Sequence, residues 1–176
     1  MKPLPHPDNL HLDAAAGWLM LGDSVSAWQE LDRMTAESRL SPAALELAWA
    51  SYVSQADWQG AYQVGETLVQ VAPALPTGWI HRAYAARRMP GGGLTRAWEL
   101  LAPAAERFPK ESMIPFNLAC YAAQMKQPVA AWNWLLLAAR AEGDVKAVRR
   151  RALADPDLET IWPRIKAEMG GKEPKA

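Results

Sequence analysis

The sequence predicts an all-α fold built from stacked helix pairs, and an internal repeat is the main reason. An alanine followed by an aromatic residue recurs four times, at intervals of 34, 36 and 34 residues: Ala27-Trp28, Ala61-Tyr62, Ala97-Trp98 and Ala131-Trp132. A regular period of this length indicates a stacked repeat, because one such small unit cannot bury its apolar face alone. The short Ile, Val and Thr runs lack the sustained alternation of strands. We therefore expect a helical solenoid.

Local signals place the helices of the first half of the chain. The segments 10–20 and 44–53 are rich in Ala and Leu, which favour helix. Gly22-Asp23 ends the first of these helices, and a serine that follows, Ser24 or Ser26, can cap the next one. Ser41-Pro42 combines a capping hydroxyl with a proline at the first helical position.

Proline and glycine divide the second half. Pro73 and Pro109 end the second helices of the two middle repeats. Pro103 falls inside an expected helix over 95–108, where it should cause a kink, since an interior proline costs ~3 kcal/mol. Gly91-Gly92-Gly93 invites comparison with a phosphate loop, but a preceding helix replaces the required strand and no Lys-Ser/Thr follows. We interpret it as a lengthened turn.

The repeat pattern ends near Gly143, and the following residues predict a C-terminal cap. Asp144 can cap a helix over 145–153, and Asp155-Pro156 can begin a short helix that reaches Trp162. The last unit of a repeat array would otherwise expose its stacking face, so we expect Trp162 to pack on the last helix pair. The predicted cap spans 144–165, with disordered ends at 1–7 and 166–176.

Other positions come into register when the segments are aligned on the repeated alanines. Four residues after each alanine stand Leu31, Gly65, Leu101 and Leu135, and twelve residues after the middle two stand Pro73 and Pro109. In the second unit, the four patterned positions of the first helix hold Leu45, Ala48, Trp49 and Tyr52. The chain therefore resembles the tetratricopeptide repeat (TPR) family over residues 8–143. Trp49 stands at a close-packed position of the pattern, which predicts a locally widened helix pair.

The resemblance implies a right-handed α-solenoid of about four helix pairs, over 8–41, 42–75, 76–111 and 112–143. The segment Ala154-Asp155-Pro156-Asp157-Leu158 is similar to caps of bacterial members. In such proteins the first helices line a concave groove that holds a peptide or a partner helix. The groove residues predicted here are Leu12, Leu19, Glu46, Val53, Ile80, Tyr84, Arg87, Arg88, Phe116 and Gln124.

We therefore expect a non-catalytic adaptor that binds another protein or a peptide. A secretion or assembly chaperone of the small TPR class is the alternative, and an enzyme whose site is assembled from distant residues is a further one. His6, His11 and His81 lack acidic or cysteine partners at ligand spacing, and no nucleophile motif is present. We expect no catalytic residues, no metal and no cofactor.

Composition limits the partners and the compartment. Nineteen basic and nineteen acidic residues cancel, so no overall field favours nucleic acid or an anionic membrane. The one cysteine, Cys120, excludes an internal disulfide and suits a reducing compartment. The first residues lack a signal peptide's apolar core. These features predict a cytoplasmic protein. The run Arg149-Arg150-Arg151 cannot form one flat basic patch on a helix, because consecutive residues point about 100° apart.

Overall fold

A computed structural model describes residues 4–169, and its regular structure within that range is entirely helical. The all-α prediction is confirmed. The α-helices are α1 (Asp8–Met20), α2 (Ser24–Arg33), α3 (Ala36–Arg39), α4 (Pro42–Ser54), α5 (Trp58–Val71), α6 (Pro76–Arg88), α7 (Leu94–Arg107), α8 (Met113–Gln124), α9 (Pro128–Glu142), α10 (Val145–Ala154) and α11 (Trp162–Glu168), with a 3-10 helix at Pro156–Ile161. None of the helices within the described range combines the length and apolarity that a bilayer span needs.

The repeat register found in the sequence is also the register of the helices. The helices α2, α5, α7 and α9 begin at Ser24, Trp58, Leu94 and Pro128, at the same intervals as the repeated alanines. The four alanines, Ala27, Ala61, Ala97 and Ala131, are each fully buried. A side chain no larger than a methyl group at these positions lets neighbouring helices approach closely.

The chain divides within α7 into two compact units, Met1–Ala97 and Trp98–Ala176. In the first unit, α1 packs against α2, α4 packs against α1, α2 and α5, and α5 packs against α6. The core between α1, α2, α4 and α5 consists of small and aliphatic residues: Ala15, Ala27, Leu31, Met34, Ala44, Leu45, Ala48, Val64 and Leu68. Leu4 packs against this core, although it belongs to the segment 1–7 that was expected to be disordered. Residues 1–3 lie outside the described range.

Carboxylates cap three of the helices that follow the turns. The N-cap of α2 is Asp23 and not Ser24 or Ser26, because its two oxygens accept hydrogen bonds from both the Ser26 N–H at 2.9 Å and the Ser26 hydroxyl at 2.7 Å. Asp57 and Asp144 cap α5 and α10 by accepting the N–H groups of Gly60 and Ala147. Ser41 caps α4 as predicted.

The glycine run before α7 forms a turn, as predicted. The Gly93 N–H donates to the Ala86 carbonyl at 3.0 Å, and Gly91 and Gly93 have φ values of 72° and 121°. A Cβ at Gly92 would lie 1.9 Å from the Ala86 carbonyl oxygen. This path therefore requires glycine. The helix that follows passes through Pro103 without interruption, and Pro103 itself is exposed.

In the second unit, α8 and α9 pack together and the chain after them folds back over the pair. The 3-10 helix contacts α8 and α9, and its Leu158 and Ile161 are buried. Trp162, expected to make this contact, is half-buried, and its indole N–H donates to the Ala152 carbonyl of α10 at 2.9 Å. The predicted disordered tail begins inside α11, so residues 166–168 are helical. Residues 170–176 lie outside the described range.

Candidate functional site

Glu46 of α4 and His81 of α6 meet in the first unit, at the face that the sequence assigned to the groove. His81 Nε2 lies 2.6 Å from Glu46 Oε2. The His81 ring stacks on Trp49, with ring centroids 3.8 Å apart and planes inclined by 8°. The sequence offered no partner for His81, because Glu46 lies 35 residues away along the chain.

The pKa of Glu46 lies below its usual value, although burial opposes ionisation and is the largest single effect. The hydrogen bond between His81 and Glu46, the nearby Thr77 hydroxyl and the attraction to His81 together outweigh the burial. The Thr77 hydroxyl contributes although it does not reach hydrogen-bond geometry. Glu46 is therefore a fixed negative charge at neutral pH.

Tyr84 and Arg88 extend the same surface toward the end of α6. The Tyr84 ring meets Trp49 edge-on at 5.9 Å and Trp58 at 6.0 Å. The Arg88 guanidinium lies 3.5 Å from the Tyr84 ring centroid and 5.3 Å from that of Trp58. Its Nη1 also donates to the Tyr84 carbonyl at 3.1 Å. Arg88 therefore both satisfies the helix C-terminus and covers aromatic faces.

We call these residues the α4–α6 cluster: Glu46, Trp49, Trp58, His81, Tyr84 and Arg88. Every member is half-buried, so each side chain is held by its neighbours and still reaches solvent. The spacing explains the assembly, since residues three, four or seven apart share one face of a helix. Two fixed charges of opposite sign and four aromatic rings can together contact an apolar anchor and a polar group of a partner.

Two glycines set the position of α6, and with it the cluster. A Cβ at Gly65 of α5 would lie 2.7 Å from the backbone N of Arg82, and one at Gly78 would lie 2.8 Å from Leu68 Cβ. Both glycines therefore allow α5 and α6 to approach closely. Arg82 Nη1 then bonds Glu66 Oε1 across the two helices at 2.8 Å.

The other predicted groove residues of the first unit have different surroundings. Leu12 and Leu19 pack against the core between α1, α2, α4 and α5, so their side chains serve the fold. Val53, Ile80 and Arg87 are half-buried. The structure thus brings Glu46, Tyr84 and Arg88 of the predicted set into one cluster.

In the second unit, the chain's own cap contacts both predicted groove positions. Phe116 is buried, with the Arg151 guanidinium 4.8 Å from its ring centroid. The Gln124 side chain donates to the Asp157 carbonyl of the 3-10 helix at 3.1 Å. Phe116 is therefore closed to a partner, whereas Gln124 remains exposed beside the cap. Both contacts arise because the cap packs on α8, the helix that carries both residues.

Each of the repeated aromatics contacts a neighbour within its own unit. Trp28 meets Tyr52 at 5.0 Å, and the Tyr62 ring lies 5.1 Å from the Arg96 guanidinium. Trp98 meets the edge of Trp134 at 5.9 Å, and Trp132 is buried beneath Arg164 at 4.4 Å. These contacts are those of packing residues.

Cys120 is buried, and two carboxylates lie close to it. Its Sγ donates to Asp155 Oδ2 at 3.5 Å, and a ligand atom of Asp157 completes a group within 4.8 Å. Asp155 Oδ1 accepts the Asp157 N–H at 3.0 Å as the N-cap of the 3-10 helix. The carboxylate contacts are those that begin a helix.

Arg149 and Arg151 are half-buried and Arg150 is exposed, so the three arginines do not form a common patch. Arg151 Nη2 binds Glu142 at 2.9 Å, and Glu142 also accepts a hydrogen bond from Ser112. These contacts tie α10 to α9 and to the start of α8.

The chain has no match among protein-family models, and a search of curated proteins gave no significant match.

Trp49, Trp58 and His81 are the cluster members that the sequence did not assign to the groove. For His81, the one sequence feature that points to the cluster is the repeat period, because His81 stands one period of 34 residues and one further residue after Glu46. That period says which residues occupy equivalent places in successive units. It does not say that the helices rotate so that these two side chains meet.

Proposed function

We propose that the chain is a TPR-like helical-repeat protein, a right-handed α-solenoid of about four helix pairs, that works as a non-catalytic adaptor. It binds a segment of another protein at the α4–α6 cluster. The common register of the helix starts and the buried alanines supports the repeat assignment.

The observation that carries the binding proposal is the half-buried state of the cluster. Its rings are already held in place by stacking and edge contacts, so little side-chain entropy is lost when a partner covers them. Aromatic and arginine side chains at the centre of an interface contribute most to binding. The ionised Glu46 and the guanidinium of Arg88 add polar groups that orient a partner segment.

The test begins with photo-cross-linking, because it identifies a partner by position. A photoreactive phenylalanine analogue at Tyr84 should capture one protein in cells, and the same analogue at Arg150 should not capture it. A synthetic peptide covering the cross-linked segment then replaces the whole partner in binding measurements.

The variants Tyr84→Ala and Tyr84→Phe separate the ring from the hydroxyl. Loss of the ring should weaken peptide binding by ~2 kcal/mol or more, about 30-fold, as for central aromatic contacts. Tyr84→Phe keeps the ring and should bind within about threefold of the wild type. Equal binding by wild type and Tyr84→Ala, both shown to be folded by circular dichroism, would exclude the cluster as the binding surface.

A further inference from the structure

The first unit carries a second, open surface on another side of its core. A cleft of about 260 Å³ opens between α2, α4 and α5, and thirteen residues line it. Its floor includes Leu31, Ala44 and Val64, and Trp28 and Tyr52 form one wall. We call it the α2 cleft.

Exposed aliphatic side chains flank the α2 cleft. Leu40 lines it and is 51% exposed. Val25 is 63% exposed and borders an adjoining depression that shares Trp28 and Tyr52 with the cleft. Protruding aliphatic groups beside an apolar recess give one surface both the knob and the hole of an interface.

The mouth of the α2 cleft carries one acidic and one basic side chain, so its charge pattern is complementary to that of a second copy. Asp32 and Arg39 pair at 3.2 Å, and their side chains are 57% and 45% exposed. In a two-fold interface the same patch faces itself, so the acid of each copy can meet the base of the other. A strongly acidic or strongly basic partner would meet one like charge at this mouth. The chain's zero net charge removes long-range repulsion between copies.

We propose that the α2 cleft binds a second copy of this chain in a two-fold dimer. Val25 and Leu40 of each copy enter the apolar recess of the other, and Asp32 and Arg39 exchange partners across the axis. Burial raises the pKa of Tyr52, and the negative charges of Asp57 and Asp32 raise it further. The Tyr52 side chain in the wall of the recess is therefore a neutral phenol at physiological pH.

The cleft is smaller than a standard interface, which has about 20–30 residues a side, so the dimer is weak and concentration-dependent. Sedimentation velocity of the full chain over about 1–300 µM should show a reversible shift from the 19.4 kDa monomer toward twice that mass. A wild-type chain that remains at 19.4 kDa across this range overturns the proposal.

Val25→Asp tests the surface, and Val129→Asp is its matched control. Each valine is the second residue of its helix, and the two are 63% and 65% exposed. An acid there suits the helix dipole, so both variants should fold. Val25→Asp should weaken association at least tenfold, and Val129→Asp should leave it unchanged. Equal effects of the two variants, or none from Val25→Asp, contradict the assignment.

Mixing two charge variants tests the exchange of partners. Asp32→Arg and Arg39→Asp should each weaken self-association, because like charges then face each other across the axis. An equimolar mixture should form a heterodimer more tightly than either variant associates alone. A mixture no heavier than its two components would show that the ion pair stays within one copy, and would refute the two-fold arrangement.

Discussion

Replacing Gly65 with alanine should destabilise the protein, although alanine is the better helix former. Gly65 lies in α5, and a Cβ there would be 2.7 Å from both Cα and N of Arg82 and 3.0 Å from its Cβ. Carbon atoms pack at about 3.5–4 Å, so α5 and α6 would have to separate by nearly 1 Å. The obstacle is backbone, which a rotamer change cannot move away.

The magnitude follows from two opposing effects. Overpacking of this kind costs ~1–3 kcal/mol, and backbone contact places Gly65→Ala in the upper half of that range. The helix preference of alanine over glycine returns ~1 kcal/mol. The net loss is therefore ~1–2 kcal/mol, which for a chain of this size lowers the melting temperature by ~2–8 °C.

Gly17→Ala is the matched control. Gly17 lies inside α1, and an added Cβ would meet nothing within 4 Å apart from its chain neighbours and the backbone of its own helix. This substitution should stabilise the protein by ~0.4–1 kcal/mol, since alanine narrows the unfolded ensemble. Urea unfolding followed by far-ultraviolet circular dichroism measures both variants. The predicted changes have opposite signs, so a Gly65→Ala protein as stable as Gly17→Ala would refute the close crossing of α5 and α6.

Two further predictions concern buried groups. Hydrogen bonds from Ser38 and then Thr35 hold the pKa of Asp8 below its usual value, so its stabilising effect is present at neutral pH and disappears as the pH falls through the folded-state pKa. Asp8→Asn should therefore lower the melting temperature at pH 7, and its difference from the wild type should shrink below about pH 4. Asp13→Asn, at an exposed position of the same helix, is the control and should change neither the melting temperature nor its dependence on pH. Leu158→Ala should lower the free energy of unfolding by ~2–5 kcal/mol, because this fully buried residue lies in the 3-10 helix that packs on α8 and α9. Leu137→Ala, at a 43% exposed position of α9, is the control, and similar melting curves for these two leucine variants would show that the cap adds no stability.

Local sequence signals predict where most of the repeat helices begin and end. Ser41-Pro42 starts α4, and the turns at Gly22 and Gly91–Gly93 fall where the sequence predicts them. These features depend on hydrogen bonds and backbone angles within a few residues, which local residue types specify. Even there, Asp23 replaced the expected serine cap, because two residue types compete for the same N–H group.

Packing between distant parts of the chain decides which side chains meet. Glu46 of α4 meets His81 of α6, whose helix approaches α5 closely at Gly65 and Gly78, and no local signal predicts that distance. Phe116 and Gln124 are equivalent in the repeat to Ile80 and Arg88, yet in the second unit the cap contacts both, so that Phe116 is buried while Gln124 stays exposed. A repeat pattern specifies the faces of helices. Their rotation, their separation and the path of the terminal segment depend on packing between residues far apart in the chain.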